Sequence, residues 1–330
     1  ADRNAVFEAF YRTEPFGNGY AVYAGLEHII DYLKNLKFKE SDLQYLKEQE
    51  GYDDDFIDYL RNFKLKLNIR SMKEGELVFA NEPILQVEGP LAQAQLVETA
   101  ILNIINFQTL LATKAARIKL AVQNDGLMEF GSRRAQETDA AIWGARAAYI
   151  GGFDSTSNVR AGKLFGIPIS GTHAHALVEA FGSEYEAFKA YAGTHKNCVF
   201  LVDTYDTVRS GVPNAIKVAN EMGDKINFLG VRIDSGDMAY ISKQVRKELD
   251  DAGYPDAKIF ASNDLDENTI TNLKMQGAKI DVWGIGIKYI TAYDQPALGA
   301  VYKLVAMEDE VDAMRDTLKI SSNAIKVSTP

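Results

Sequence analysis

The feature that most constrains the fold is an alternation of short apolar runs with helical segments through the second half of the chain. The apolar runs span residues 127–130, 167–170, 199–202, 228–233, 259–262 and 280–283. Segments between them, such as 215–222, 238–249 and 268–275, have helical length and composition. Strands that alternate with helices form parallel sheets with right-handed crossovers, and this number of units is typical of a closed (β/α) barrel. We therefore predict a barrel, with a doubly wound open sheet as the alternative.

The first 100 residues have a different pattern, which predicts a smaller N-terminal α/β domain over residues 1–100. Residues 24–36 and two acidic segments within 41–63 have helical patterns. Residues 65–90 alternate in polarity between Pro and Gly and predict a compact β-unit. A long helix from about Leu91 then leads into the barrel, to which we assign residues 101–310. We assign residues 311–330 to the start of a truncated C-terminal segment.

Composition excludes several classes of function. With 330 residues, 46% of them hydrophobic, the chain can bury a large core. Its net charge of -10 argues against nucleic acid as a partner. Polar residues interrupt the most apolar region, 100–122, and charges interrupt residues 1–30, so we expect neither a membrane span nor a signal peptide. The single cysteine, Cys198, opens an apolar run and predicts a buried thiol in a cytoplasmic protein.

Polar side chains follow each apolar run of the predicted barrel. They include Gly131 to Arg134, Gly171 to His175, Asp203 and Asp206, Arg232 and Asp234, Ser262 to Asp264, and Gly284 to Lys288. Each group alone has a plain interpretation, such as a helix cap or a solvated pair of charges. Because barrels carry their chemistry at the carboxyl ends of the strands, the succession predicts one site.

Arg232 and Asp234 lie two residues apart in a buried strand and therefore share a face. One interpretation is an internal ion pair. The other is a binding site, because the planar guanidinium binds carboxylates and phosphates with two parallel hydrogen bonds. Arginines together with several aspartates predict an anionic substrate and a metal-bound polyphosphate.

Two further groups predict phosphate chemistry. His175 opens a helical run, where an imidazole is held neutral and nucleophilic and can accept a phosphoryl group or a proton. Gly284 and Gly286 allow backbone N–H groups to approach a phosphate. Two alternatives stay open here: a zinc site on His173 and His175, and a Schiff-base role for Lys288.

Seven motifs, in this order, resemble the nicotinate phosphoribosyltransferase family over almost the whole chain. They are residues 14–20 (EPFGNGY), 88–93 (EGPLAQ), 129–136 (EFGSRRAQ), 151–159 (GGFDSTSNV), 171–175 (GTHAH), 230–237 (GVRIDSGD) and 262–266 (SNDLD). The resemblance implies an irregular (β/α) barrel of the type II phosphoribosyltransferase kind. It also implies ATP-coupled formation of nicotinate mononucleotide and pyrophosphate from nicotinate and phosphoribosyl pyrophosphate, in NAD biosynthesis. Mg²⁺ and a cytoplasmic homodimer with shared active sites belong to the same expectation.

The resemblance also implies roles for individual residues. Arg232 is expected to hold the nicotinate carboxylate, and Asp234 to lie near the ribose. Asp203 is expected to bind the diphosphate or its Mg²⁺, and His175 to be the histidine that ATP phosphorylates. The remaining expected substrate-binding residues are Phe130, Arg133, Arg134, Asn158, Thr172, Asp264, and the 5-phosphate loop Gly284, Gly286, Ile287 and Lys288.

The chain departs from the family pattern in the phosphate loop and at its ends. Ile287 replaces the usual threonine, so the loop has one hydroxyl fewer. Family members begin upstream with a segment whose tyrosine stacks on the pyridine ring of a neighbouring subunit, and they continue past position 330. Two alternatives therefore accompany the main expectation. One is the nicotinamide-specific relative, disfavoured because neutral Asn158 stands where that relative has an acidic residue. The other is a catalytically incomplete scaffold of the same fold.

Overall fold

The computed structural model describes residues 3–311, 313–319 and 322 of the chain. Its strands are β1 (Asn4–Phe10), β2 (Ala21–Val22), β3 (Asn68–Ser71), β4 (Leu77–Val78), β5 (Leu85–Pro90), β6 (Gly126–Glu129), β7 (Ser155–Thr156), β8 (Asn197–Leu201), β9 (Asn227–Ile233), β10 (Lys258–Asn263), β11 (Val282–Ile285), β12 (Val301–Glu308) and β13 (Met314–Asp316). Its α-helices are α1 (Leu26–Asn35), α2 (Glu40–Tyr45), α3 (Asp54–Arg61), α4 (Leu91–Leu96), α5 (Glu98–Val122), α6 (Glu137–Ile150), α7 (Val159–Phe165), α8 (His175–Phe181), α9 (Glu184–Thr194), α10 (Val212–Met222), α11 (Met238–Asp251), α12 (Glu267–Met275) and α13 (Ile287–Ile290). None of these helices is long and apolar enough to cross a bilayer.

The first compact unit comprises residues 1–110 and 297–330 and is built on an antiparallel sheet. Its strand order is β13-β12-β1-β5-β3, and β2 pairs separately with β4. Alternate residues of β1 and β5 are buried, which matches the period of a sheet with one covered face. Strand β12 lies in this sheet, although residues 101–310 were predicted to form the barrel. Of the predicted C-terminal segment 311–330, residues 312, 320, 321 and 323–330 lie outside the described residues.

The second unit, residues 111–296, contains a parallel sheet in the order β7-β6-β11-β10-β9-β8. The last strand, β11, pairs with the first, β6, so the strand order is the cyclic order of a barrel. Among the described residues, no strand pairing joins β7 to β8, and a single bridge from Thr156 to Ile169 extends the β7 edge. The predicted irregular (β/α) barrel is therefore confirmed, but one side of it is open rather than closed.

Two differences between the predicted and the observed strands lie at this open side. The apolar run 167–170 supplies only the bridge at Ile169, so it is not a full strand. Strand β7 was not predicted, because Ser155 and Thr156 are polar and the strand has only two residues. The remaining five runs lie on β6, β8, β9, β10 and β11. Consecutive side chains are buried along β8, β10 and β11, so both faces of these strands are covered, whereas Leu229 of β9 is exposed. Burial of each large apolar side chain contributes about 1.5 to 3 kcal/mol.

We predict that Gly230→Ala destabilises this sheet. Gly230 has a φ of +145°, and an added Cβ would lie 1.8 Å from the carbonyl oxygen of Lys258, its partner residue on β10. The expected loss in unfolding free energy is well above about 1 kcal/mol, because backbone strain and the clash add. Denaturant unfolding measures it. The control is Gly253→Ala, where φ is +87° and a Cβ would meet no atom within 4 Å. Equal losses in the two variants would contradict this explanation.

Candidate functional site

An open cavity of about 660 Å³ lies at the carboxyl ends of the parallel strands in the second unit. The predicted site residues that line it are Phe130, Arg133, Arg134, Thr172, His175, Arg232, Asp234, Asp264, Gly284, Gly286 and Ile287. Three of these are arginines and two are aspartates, so the cavity is locally cationic although the chain is acidic. The structure thus brings most of the predicted residues together at one end of the barrel.

Three predicted residues lie outside the cavity lining. Asn158 caps α7 through its Oδ1 and donates from Nδ2 to the hydroxyl of Ser132. Asp203 lies beneath the cavity, with a side chain that is 2% exposed. The ammonium group of Lys288 is 2.9 Å from Oδ2 of Asp266 instead of facing the cavity. An ion-paired Lys288 outside the cavity lining also weakens the Schiff-base alternative.

The side chain of Arg232 is 14% exposed, and two nitrogens of its guanidinium donate hydrogen bonds. Nη1 donates to the Ser262 hydroxyl at 3.0 Å, and Nη2 donates to the main-chain oxygen of His173 at 2.9 Å. Asp234 is a looser partner, with 3.8 Å between Nη1 and Oδ1. Nε has no hydrogen-bond partner among the described residues. Since a guanidinium has five N–H donors, a planar anion can bind the remaining ones.

Two carboxylates face the imidazole of His175. Its Nε2 lies 3.8 Å from Oδ1 of Asp203 and 3.7 Å from Oδ2 of Asp234, and its Nδ1 is 3.0 Å from the Thr204 hydroxyl. Oδ2 of Asp203 accepts hydrogen bonds from the main-chain N–H of Asp234 and the hydroxyl of Ser235. The loop after β9 is therefore fixed to the end of β8, with Nε2 of His175 open between two acidic groups.

The same place fits a hydrated divalent cation. Oδ1 of Asp203 is buried and has no hydrogen-bond partner among the described residues. Carboxylate oxygens are the ligands that Mg²⁺ prefers, and Mg²⁺ commonly uses one or two of them together with water and substrate phosphates. Within the described part of the chain, no three His, Cys, Asp or Glu side chains form a ready-made metal cluster. Asp203 and Asp234 therefore suit a cation that arrives with a polyphosphate.

The ring of Phe130 explains why residue 284 is glycine; Gly284 is one of the two glycines predicted to bind phosphate. A Cβ on Gly284 would lie 2.7 Å from two ring carbons of Phe130. Gly284 is a residue of β11, and its lack of a side chain makes room for the aromatic ring. A Cβ on Gly286 would meet nothing closer than 3.5 Å, so no neighbouring atom occupies that position.

Two residues beside Arg232 had no substrate-binding role in the sequence prediction. Ser262 bonds Arg232 and also donates to Oδ1 of Asp234 through a short hydrogen bond. His173, considered only as a zinc ligand, is 8% exposed, and its Nε2 accepts the main-chain N–H of Leu201 at 3.1 Å. With that lone pair occupied, the geometry does not support the zinc alternative. Knowledge of which residues lie side by side on neighbouring strands would have identified Ser262, but a single sequence does not give this register.

The turn that carries Arg133 rests on a buried acid, Glu129, at the end of β6. Its carboxyl accepts a hydrogen bond from the Thr156 hydroxyl at 2.6 Å and a short one from the main-chain N–H of Gly131. Burial raises its pKa above the ordinary value, and the hydrogen bonds only partly offset that effect. Glu129 thus joins the ends of β6 and β7 beneath the cavity.

The fold and the site define a class: barrel enzymes that bind anionic substrates at the carboxyl ends of their strands. Models of the nicotinate phosphoribosyltransferase N-terminal domain and of the nicotinate phosphoribosyltransferase family match residues 1–106 and 126–315. The chain is 67% identical to nicotinate phosphoribosyltransferase of Bacillus subtilis over 329 residues, which are 100% of this chain and 67% of that protein. This chain belongs to the nicotinate phosphoribosyltransferase family.

Solved structures agree with this assignment. The crystal structure of human nicotinic acid phosphoribosyltransferase superposes with a TM-score of 0.83 at 32% identity, covering 93% of this chain and 71% of that one. Nicotinate-nucleotide pyrophosphorylase from Pyrococcus furiosus gives a TM-score of 0.73 at 26% identity, covering 93% and 70%. The chain spans about two thirds of the length of the curated relatives it matches, for example 67% and 65%.

We predict that His173 makes folding sensitive to mild acid. Burial lowers its pKa from 6.5 to about 4. Between these values the unfolded chain binds a proton here that the folded chain does not, so stability falls as the pH drops from 6.5 towards 4. The loss from this residue is about 3 kcal/mol over that range. Urea unfolding of wild type and His173→Gln at several pH values isolates it, since glutamine does not titrate. Parallel stability curves would refute the assignment.

Proposed function

We propose that the chain catalyses formation of nicotinate mononucleotide and pyrophosphate from nicotinate and phosphoribosyl pyrophosphate, coupled to ATP, in NAD salvage. The observation that carries this proposal is a buried guanidinium with unused donors in a cationic cavity beside an aromatic ring. A planar aromatic carboxylate has the shape and charge to fill that space. Family membership and the names of the relatives support the same reaction.

Substrate orientation accounts for the first part of the mechanism. In the proposed complex the pyridine ring packs on Phe130 and its carboxylate binds Arg232, so the ring nitrogen points towards C1 of the ribose. Asp234, whose carboxylate lies 3.7 Å from His175 and is partly exposed, is placed to stabilise positive charge on the ribose. Such fixed groups lower a barrier because they need no reorganisation during the reaction.

Phosphate binding accounts for the second part. Arg133 and Arg134 line the cavity, as do Gly286 and Ile287 at the end of β11. Ile287 offers its main-chain N–H but no hydroxyl, so the arginines supply most of the charge. Asp203 and Asp234 would hold Mg²⁺, which neutralises the leaving diphosphate when it is bound.

ATP coupling is assigned to His175, which makes the chain a phosphoprotein during turnover in this proposal. Thr204 contacts Nδ1, which leaves Nε2 as the atom that faces the cavity and can accept a phosphoryl group. For Nε2 to attack the γ-phosphorus of ATP, the ring proton must lie on Nδ1, where the Thr204 hydroxyl can accept it in a hydrogen bond, and ADP is the leaving group.

We also propose a cytoplasmic homodimer with shared active sites. In the described part of the chain, Phe130 is the one phenyl or phenol ring that lines the cavity. A second aromatic group, supplied by a partner subunit as the family resemblance implies, would enclose the pyridine ring from its other face.

The first test is Arg232→Ala with nicotinate and nicotinamide as substrates. Wild type is expected to prefer nicotinate. The variant should lose two to three orders of magnitude in kcat/KM for nicotinate and little for nicotinamide, because one charge-assisted clamp is worth a few kcal/mol. The matched control is Arg246→Ala, whose side chain is 19% exposed and binds main-chain oxygens of Tyr254 and Ala257. Unchanged nicotinate kinetics in Arg232→Ala would show that the carboxylate binds elsewhere.

A second test separates ATP coupling from transfer. His175→Ala should abolish label transfer from γ-³²P-ATP to the protein while a slower, ATP-independent synthesis of mononucleotide remains. Substitution of the exposed His195 by alanine should change neither. Full ATP coupling in His175→Ala would rule out His175 as the phosphorylated residue.

A further inference from the structure

The open side of the barrel is bridged by a side chain rather than by a strand. Beyond the bridge at Ile169, no described residue on this side pairs as a strand with β8, and the imidazole of His173 contacts β8 there instead. Its Nε2 accepts a hydrogen bond of 3.1 Å from the main-chain N–H of Leu201, the last residue of β8. The ring packs against Phe188 and Tyr191, with centroids 5.6 and 5.0 Å away. The imidazole thus satisfies a buried donor that an adjacent strand would otherwise pair.

The main chain of the same residue holds the substrate arginine. The carbonyl oxygen of His173 accepts a hydrogen bond from Nη2 of Arg232 at 2.9 Å, and the Ser262 hydroxyl accepts one from Nη1. Because a guanidinium is planar and rigid, these two acceptors fix the direction in which its remaining donors point. A shift of the His173 carbonyl would turn those donors away from a bound carboxylate.

We infer that His173 is a positioning residue for nicotinate binding: its ring, anchored on Leu201, fixes the carbonyl that orients Arg232. This inference rests on the proposed function. His173 does not touch the reacting atoms, and it acts through Arg232. Glutamine can replace its function because the amide oxygen can reach the same N–H, whereas phenylalanine keeps the ring but has no acceptor.

The protonation of the ring agrees with this role. Nδ1 lies 3.4 Å from the main-chain oxygen of Ala174, so the proton belongs on Nδ1 and the lone pair on Nε2. Burial lowers the pKa to about 4, which keeps the ring neutral and the acceptor present at neutral pH.

The kinetic experiment compares wild type, His173→Phe and His173→Gln, with His195→Phe as the control on an exposed histidine. Each is assayed with nicotinate varied at saturating phosphoribosyl pyrophosphate and ATP, and then with phosphoribosyl pyrophosphate varied. We expect His173→Phe to raise KM for nicotinate at least tenfold, with kcat and the other KM within about threefold of wild type. His173→Gln should recover KM for nicotinate to within about threefold, and His195→Phe should match wild type.

Two results would overturn the inference while leaving the proposed function intact. One is active His173→Phe with an unchanged KM for nicotinate. The other is equal impairment of the Phe and Gln variants, which would assign the effect to packing alone. An inactive wild type would instead refute the proposed function. If the Phe variant does not fold, ¹⁵N-histidine spectra of wild type and His173→Gln decide: a neutral imidazole protonated at Nδ1 in wild type that is missing from the Gln variant supports the inference, and no such signal refutes it.

Discussion

The second unit depends on how it accommodates one buried cation, the guanidinium of Arg232. A charge taken out of water is costly unless hydrogen bonds replace its hydration. Here the replacement comes from two directions, the Ser262 hydroxyl on β10 and the His173 carbonyl at the open edge, with Asp234 as a more distant counter-charge. The chain segments that carry Ser262, His173 and Asp234 must therefore lie side by side around the guanidinium for the buried charge to be stable. Parallel pairing of β9 with β10 provides that alignment.

Much of the fold could be predicted because strands such as β8, β10 and β11 have consecutive buried residues and appear as continuous apolar runs. The exceptions have physical reasons. Strand β7 consists of two polar residues, so it has no apolar signal. The sequence of strand β12 does not indicate which strand it pairs with. In the structure its Leu304 pairs with Phe7 of β1, almost the full chain length away. The open side of the barrel depends on which edges pair, and a single sequence contains no information on pairing.

The candidate site was predictable to the level of residue groups, because polar residues at the carboxyl ends of parallel strands meet at one edge. Individual partners were not. Lys288 lies near the phosphate loop in sequence, but Asp266 attracts its ammonium group away from the cavity. Asn158 forms a helix cap instead of lining the cavity. His173 contributes its main-chain carbonyl and an Nε2 lone pair that accepts a hydrogen bond from a main-chain N–H. Neither interaction can be recognised from the sequence.

The packing of Phe130 on Gly284 joins two positions that are 154 residues apart in the numbering, one directly after β6 and the other on the adjacent strand β11. A methyl group at position 284 would occupy the place of the ring, and a ring at position 130 leaves no space for one. These positions cannot drift independently during evolution. A relative that acquires alanine at 284 must also give up or redirect the aromatic residue at 130, so the identity of one position limits the substitutions available to the other.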